Sequence, residues 1–451
     1  MKIRILNLFI LGLILFSAFA CCSCSDHSPA EESELDPPSE KGQIEQKETV
    51  QPGQNTLSSN SIKYLGSFLP PEGQDQQTYE WSATGLAYNP NNDSLFMVGH
   101  DHYQLVGEIS IPEPVKATEA GSLPRARVIQ ALSDITEGKL NHIGFNGRKL
   151  PTNIKIGGLL VQDNKLLVSS YAYHEDAEKA VLSHGIRGLD FSVKNDFKGM
   201  FKVGDWGTGY LAGYMAEIPE EMRRLFKATT ITGQGGIPKA ERTSLGPSAF
   251  SFDIKDLGKT PCPAKTLLAY PLEHPTLGTW DNETSPNPPY NMSTQVTGMV
   301  FPKASSQVIF FGSTGLGVPG YGQGTNNKKL DRTKIPNYDE KYVYDPAQVD
   351  MKGTHAWPYA PYVWLYAVED LLKVANQELN PWDIVPTDHF PLFFPYTDDT
   401  KAYEIGGVAY DAAGQRIFVA ERRGYHDEPV IHVYKLGDES GSISHTTDEN
   451  H

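Results

Sequence analysis

The sequence has few cysteines and few basic residues, and each shortage excludes a class of protein. Four cysteines occur in 451 residues, and three of them stand close together at positions 21, 22 and 24. Cys262 is the only cysteine in the rest of the chain, so no disulfide can form within that region. Lys and Arg number 39 against 55 Asp and Glu, which gives a net charge of −16. That balance argues against nucleic acid as the main partner, because phosphate binding needs a basic surface.

The apolar run near the N-terminus is too short to span a membrane comfortably. It covers residues 5–16, follows Lys2 and Arg4, and has the length of a signal-peptide core. The stretch SAFAC at 17–21 resembles a bacterial lipoprotein signal, in which the chain is cut before a cysteine that becomes lipidated. The resemblance implies a signal peptide over residues 1–20, a lipid on Cys21, and attachment to the bacterial cell envelope, on its periplasmic or surface side. Cys22 and Cys24 are alternative attachment sites, and an ordinary cleaved secretion signal is the other interpretation.

The segments that flank the main body of the chain have little apolar content. Residues 21–61 contain many acidic residues and prolines and no aromatic residue. Such a segment cannot bury enough apolar surface to order itself, so we expect a disordered acidic tether. Residues 437–451 are similarly polar and are predicted to be a flexible tail.

The main body, residues 62–436, is rich in turn formers and aromatic residues. The whole chain has 41 Gly and 32 Pro beside 19 Phe, 22 Tyr and 6 Trp, a composition that favours an all-β protein of many short strands. A pair of short strands joined by a tight turn recurs along it, and the first strand of each pair begins with Gly. The four clearest pairs are 85–90 with 94–99, 157–162 with 165–169, 298–302 with 307–312, and 406–411 with 416–420.

Further strands extend each pair to four. A third strand is predicted at 104–109, 249–254, 363–368 and 430–434, and another strand at 64–69 and 389–394. A weaker unit covers residues 197–254. Repeated groups of four antiparallel strands predict a β-propeller of five blades, or of six if residues 321–358 contain another. The strand near Tyr64 would complete the last blade and close the ring. A β-sandwich is the alternative fold.

The body thus resembles the β-propeller proteins, without a Trp-Asp repeat or a kelch double-glycine pattern. It is also similar to a group of uncharacterised exported bacterial propellers through the stretches GLAYNP at 85–90 and KGTHAWPY at 352–359. That resemblance implies no particular activity.

The predicted loops are long on one face of the propeller and short on the other. Loops between first and second strands are short turns, whereas those between second and third strands are long, the largest being an insertion at about 313–361. Because loop length has little effect on stability, and loops on a rigid scaffold carry function, we expect a ligand site where the long loops meet. Candidate ligand-binding residues in these loops are His100, Asp101, His102, Tyr171, His174, Glu175, Arg187, His355, Trp357, Glu421, Arg422 and Arg423.

Individual candidates suggest different chemistry. His100 and His102, with Asp101 between them, are possible ligands of a divalent metal, although the alternative is a polar loop with one His packed on Tyr103. Arg422 and Arg423 could clamp a carboxylate, a sulfate or a sugar acid, or else pair with Glu421 and Asp427. Trp357 could stack on a sugar ring. No phosphate-binding loop, nucleophile elbow or zinc-protease motif is present.

Three functions are consistent with these features. The first is a lipid-anchored envelope propeller that binds a glycan or a partner protein through its long loops. The second is a carbohydrate-active hydrolase or lyase, which needs two facing carboxylates, with Glu80, Asp101, Glu175 and Glu421 as candidates. The third is a structural scaffold of an envelope complex. No catalytic residue is assigned.

Overall fold

The computed structural model describes residues 56–82, 85–151, 153–173, 179–234, 244–284, 289–396, 401–402 and 404–437. The chain divides into two compact units, residues 1–49 and 50–451, and all the described residues belong to the second. The predicted signal peptide and lipidated cysteine, most of the tether, His174, Glu175 and nearly all of the tail lie outside the described residues. Within those ranges, no helix is both long and apolar enough to cross a membrane.

The described body is all-β and consists mainly of antiparallel sheets. Strand β1 (Ile62–Phe68) opens it. Sheet one then has the strand order β2 (Leu86–Asn89), β3 (Ser94–Val98), β4 (Val106–Ser110), β5 (Val128–Ser133). Sheet two has the order β6 (Ile154–Gln162), β7 (Lys165–Ala172), β8 (His184–Gly188), β9 (Lys198–Phe201). Sheet three has the order β10 (Met215–Glu217), β11 (Thr230–Thr232), β12 (Ala249–Phe252), β13 (Ala264–Leu268).

The second half of the chain adds two more four-stranded sheets and two smaller ones. A two-stranded sheet pairs β14 (Glu273–His274) with β15 (Gly278–Thr279). Sheet four follows the order β16 (Gln295–Val300), β17 (Gln307–Gly315), β21 (Tyr359–Ala367), β22 (Asp388–Pro391). Its long connection, residues 316–358, contains a small sheet of β18 (Gly320–Thr325), β19 (Tyr342–Tyr344) and β20 (Lys352–His355). Sheet five has β23 (Ile405–Asp411), β24 (Arg416–Tyr425), β25 (Glu428–Leu436) and then β1.

Three short helices lie in the connections of the described body. They are α1 (Thr208–Leu211), α2 (Glu220–Phe226) and α3 (Val368–Ala375). Single turns of 3-10 helix cover Ser59–Ser61, Ala120–Ser122, Phe145–Gly147, Ile254–Asp256 and Lys328–Leu330.

The four predicted strand pairs are confirmed as antiparallel hairpins. They are β2–β3, β6–β7, β16–β17 and β23–β24. Their turns use left-handed backbone at polar or small residues, among them Asp93 and Asn164, as tight hairpins require. The weaker unit predicted over residues 197–254 combines two sheets. Its first strand is β9, the fourth strand of sheet two, and its other strands are β10, β11 and β12 of sheet three. The prediction that all first-to-second turns are short is wrong there, because α2 lies between β10 and β11.

Five apolar cores of the described body each lie between two neighbouring sheets. In β3, Phe96 and Val98 pack with residues of sheet two, whereas Leu95 and Met97 pack with residues of sheet five. Three further cores join sheet two to three, three to four and four to five. The second strand of a sheet is therefore buried on both faces, which explains why its sequence is apolar without alternation.

The first strands of the five sheets contact one another in a cyclic order. Strand β2 contacts β6, which contacts β10, and the contacts continue through β16 and β23 back to β2. Glycine permits this approach, because a Cβ at Gly157 would lie 1.8 Å from the carbonyl oxygen of Ala212. A Cβ at Gly298 would lie 2.3 Å from the Val408 side chain.

Residues 316–358, called the insertion below, form a separate small sheet. Strand β18 pairs in parallel with β19 and antiparallel with β20. This three-stranded sheet differs from the four-stranded unit that a sixth blade would need. The insertion therefore adds a separate small sheet between β17 and β21 and no further four-stranded sheet.

Candidate functional site

Every sheet has two ends, and most of the candidate residues belong to one of them. We call the end where the first and second strands are joined the turn end, and the opposite end the loop end. In sheet two, Gln162 opposite Lys165 marks the turn end, and Lys155 opposite Tyr171 marks the loop end. The long connections 99–105, 173–183, 233–248 and the insertion leave from the loop end.

Asp101 joins the loop of sheet one to the first strand of sheet two. Its carboxylate Oδ2 accepts a hydrogen bond from Lys155 Nζ at 2.6 Å, and the same ammonium donates to the Asp101 carbonyl at 2.9 Å. Gln104 donates to that carbonyl at 2.6 Å and accepts from the backbone N–H of Ile156 at 2.6 Å. The loop is thus fixed to β6 by charge and by backbone hydrogen bonds.

Arg422 forms a second ion pair at the loop end. Its Nη1 lies 2.8 Å from Glu404 Oε2, and its backbone N–H donates to the Glu404 carbonyl at 2.9 Å. Burial raises the pKa of Tyr171, and that of Tyr173 is also raised by burial. Asp101 raises the pKa of both phenols further and Arg422 lowers it, so these two side chains lie within electrostatic range of both tyrosines. Asp101, Tyr171 and Arg422 thus all lie at the loop end.

Trp81 and Arg423 form an exposed pair, which we call the platform. The guanidinium lies over the indole, 5.4 Å from the ring centroid, and the Trp81 side chain is 45% exposed. Both residues have left-handed backbone, with φ of 55° and 51°. A bulky residue in that region is strained and needs support. Support comes from the Trp81 N–H, which donates to the Asp427 carbonyl at 2.7 Å. Among the described residues, Arg423 forms no ion pair with a carboxylate.

His100 and His102 are used within their own loop. Both rings pack against Tyr103, with centroid distances of 5.1 and 5.2 Å, and His100 Nδ1 accepts the backbone N–H of His102 at 3.0 Å. Across the described part of the chain, no group of three or more His, Cys, Asp or Glu side chains is placed to hold a metal ion. This arrangement agrees with the alternative interpretation of a polar loop packed on Tyr103.

Arg187 lies away from the loop end. It is buried in β8, opposite Leu166 near the turn end, and donates to the backbone carbonyls of Ile135, Asp190 and Val193. Its guanidinium also stacks on Phe191 at 5.0 Å. These bonds give Arg187 a structural role in place of the ligand contact expected from the sequence.

His355 and Trp357 belong to the interior of the insertion. His355 Nδ1 lies 2.7 Å from Asp345 Oδ2, and both side chains are fully buried. Its Nε2 faces the carbonyls of Met351 and Gly322 at 3.1 and 3.3 Å, so both ring nitrogens face acceptors. Tyr359 donates to the same carboxylate at 2.6 Å. Trp357 is partly buried and packs edge-on against Tyr344 at 5.5 Å. We therefore find His355 in a polar core of the insertion.

Glu421 belongs to a buried chain of hydrogen bonds at the junction of β1, β24 and β25. Its Oε2 lies 2.9 Å from His432 Nε2, and His432 Nδ1 lies 2.7 Å from Ser67 Oγ. This order of acid, imidazole and hydroxyl matches that of a hydrolase triad. However, Ser67 has no exposed surface, its Oγ also bonds Tyr64 at 2.7 Å, and the Phe394 ring covers His432 at 4.3 Å. These hydrogen bonds hold β1 in place, and the described residues bury the Ser67 hydroxyl.

The described carboxylates that were candidates for glycoside hydrolysis face different surroundings. Asp101 pairs with Lys155 and lies near two tyrosines at the loop end. Glu421 pairs with His432 and faces Tyr64, Tyr396 and Tyr434. Glu80 is exposed, and Glu175 lies outside the described residues. The surroundings of Asp101, Glu421 and Glu80 therefore lend no support to a pair of facing carboxylates among them.

Three residues at the loop end were not among those predicted from the sequence. Lys155 and Glu404 provide the countercharges of Asp101 and Arg422, and Trp81 forms the platform with Arg423. Each stands just before, or at the start of, a predicted first strand. That position is the signal that could have identified them, because chain entering a first strand lies at the same end as the long loops.

Comparisons with known proteins give no family for this chain. No protein-family model matches it, and no curated protein matches it. One solved structure that is similar is luciferin-regenerating enzyme, at 7% sequence identity and a TM-score of 0.34, with 84% of this chain and 96% of that chain covered. Similarity of that degree supports no conclusion about activity.

Proposed function

We propose that this protein is a lipid-anchored, five-bladed β-propeller of the bacterial cell envelope that binds an acidic glycan at the loop end. Three observations support the propeller. There are five four-stranded sheets among the described residues, their first strands contact one another in cyclic order, and five apolar cores are each shared by two neighbouring sheets. In this proposal β1 closes the ring, a role supported by its pairing with β25.

The platform is the observation that carries the binding proposal. An exposed indole offers an apolar face of the kind that stacks on a sugar ring. The neighbouring Arg423 guanidinium can bind a carboxylate or sulfate with two parallel hydrogen bonds. The ion pairs of Asp101 and Arg422 add polar groups that suit hydroxyls at the same loop end. Backbone strain at both platform residues is a cost typical of functional sites.

Binding of the full chain to neutral and uronic-acid-containing oligosaccharides tests the glycan proposal. We expect an acidic oligosaccharide to bind better than its neutral counterpart, and Arg423→Gln to remove that preference, with an affinity loss of about tenfold. Trp81→Ala is expected to weaken binding of both kinds. Calorimetric titration supplies the affinities.

Matched control residues are exposed outside the platform. Trp206 is another exposed tryptophan, at 42%, and Arg148 is an exposed arginine outside the platform, so Trp206→Ala and Arg148→Gln should leave binding unchanged. If no oligosaccharide binds while a protein partner is captured through the platform, the glycan is the wrong ligand class. If the controls weaken binding as much as Trp81→Ala does, the site is elsewhere.

The lipid anchor has its own test. Cells that express the full chain are grown with a radiolabelled fatty acid, and label on the protein is measured. We expect Cys21→Ser to abolish the label, because the lipidated cysteine follows the cleavage site directly. Cys22→Ser and Cys24→Ser are the controls and should keep it. An unlabelled wild-type chain would contradict the anchor, and label lost only in one of the other two variants would move the attachment site.

A further inference from the structure

A cavity of about 320 Å³ opens at the turn end, opposite the platform. The first strands of all five four-stranded sheets line it, each through two or three consecutive residues, such as Leu86–Tyr88 of β2. Its rim includes Pro219, Lys303 and Ala412, which belong to the connections that follow β10, β16 and β23. The cavity is therefore separate from the proposed glycan site.

The walls of this cavity are mainly apolar. The residues that line it include Leu86, Leu159, Met215, Met299 and Val408, all buried within the protein. Each first strand is also the terminal strand of its sheet, so one edge of its backbone has no strand partner. A cavity of a few hundred Å³ with apolar walls and a few polar groups is typical of sites that enclose small molecules.

The rim of the cavity carries an excess of negative charge. Glu217, Glu220 and Glu221 line it, against the cations Arg223 and Lys303. Arg223 pairs with both Glu217 and Glu220, and is thus shared between two carboxylates. Burial raises the pKa of Glu217, with Asp163 and Glu220 acting in the same direction and Arg223 opposing them. A further cation next to Glu217 would relieve this imbalance.

We propose that the cavity binds a small amphipathic cation, with its apolar body between the first strands and its ammonium group at Glu217. The apolar walls favour the body through the area removed from water. The carboxylates at the rim select the sign of the head group. This site does not depend on the proposed glycan function.

Three eight-carbon probes test the proposal by calorimetric titration into the full chain at neutral pH. Octylammonium, octanol and octanoate have the same apolar body and differ in the charge of the head group. We expect one octylammonium per chain, bound more tightly than octanol by about tenfold, and octanoate weakest. Glu217→Gln should reduce octylammonium binding to the level of octanol and leave octanol binding unchanged.

Two further variants show whether the probes enter the cavity. Ala216→Phe narrows it and should weaken binding of all three probes, with folding checked by circular dichroism; if that variant does not fold, Ala87→Val is a smaller change that should weaken binding in the same direction. Glu113→Gln, an exposed site away from the rim, is the control for charge. Absence of octylammonium binding overturns the proposal, as does binding that favours octanoate or that the folded Ala216→Phe variant retains undiminished. Trp81→Ala should leave probe binding unchanged, so a failed glycan site and a failed cavity site give different results.

Discussion

Asp345 is a buried carboxylate inside the insertion, and its hydrogen bonds explain how the negative charge is stabilised there. Burial by itself would raise the pKa of Asp345, but hydrogen bonds from His355 and Tyr359, the charge of His355 and the backbone N–H of Ala347 together hold it below its ordinary value. A carboxyl whose pKa is lower in the folded protein stabilises the fold at pH values above its unfolded pKa. That contribution is lost as the pH falls through the folded pKa.

We expect Asp345→Asn to lower the free energy of unfolding by about 3–5 kcal/mol at pH 7, because it leaves His355 without its charged partner. The deficit should shrink below about pH 4, where the carboxylate of the unfolded wild-type chain becomes protonated. Urea unfolding of both proteins at several pH values measures it. Asp350→Asn, an exposed position in the same insertion, is the control and should change the free energy by less than about 0.5 kcal/mol. A deficit that is constant with pH would contradict the assignment.

The fate of single candidate residues shows which part of the site could not be predicted from the sequence. Asp101, Tyr171, Arg422 and Arg423 were candidates and lie at the loop end. Arg187, His355 and Glu421 were candidates of the same chemical types, yet each is buried with partners inside the protein. Residue type indicates which chemistry is possible, but the partners of a charged side chain come from distant segments, and only the fold brings them together.

At the scale of elements, the strand pairs could be predicted because their signal is local. A glycine, an apolar run and a turn occur within about fifteen residues in each hairpin. The insertion could not be predicted in detail, because the parallel pairing of β18 with β19 joins residues that are separated by a loop with little strand character. Helix α2 was missed because it is only two turns long and lies where the other units have a tight turn.

The contact between first strands makes a prediction about one of them. Gly157→Ala in β6 places a methyl group against the backbone of Ala212, which cannot move without separating sheets two and three. We expect a loss of about 1–3 kcal/mol in the free energy of unfolding. Gly207→Ala is the matched control, since no atom lies within 4 Å of its added Cβ, and it should be nearly neutral. Equal effects in chemical denaturation would show that the first strands are not closely packed in solution.

For the whole molecule, the pairing of β1 with β25 joins segments from the two ends of the described body. Lys63 lies opposite Lys435 in this pair. We expect Lys63→Cys with Lys435→Cys to form a disulfide on oxidation, in a chain whose three N-terminal cysteines are replaced by serine. Closing so long a loop should raise the free energy of unfolding by about 3–5 kcal/mol if the bond forms without strain.

Electrophoresis without reductant and urea unfolding measure the two effects. The variant with Lys63→Cys alone is the control and should show neither. Failure of the two cysteines to join would contradict the pairing of β1 with β25.

The distribution of apolar side chains into cores that each belong to two sheets has a consequence for unfolding. A sheet that came apart alone would expose both of its faces to water, and its two neighbours would each lose half of their cover. Local opening of one sheet therefore weakens the next, and partly unfolded states gain little by stopping midway. The arrangement therefore favours cooperative unfolding of the whole described body, because a defect between any two sheets also destabilises the sheets next to them.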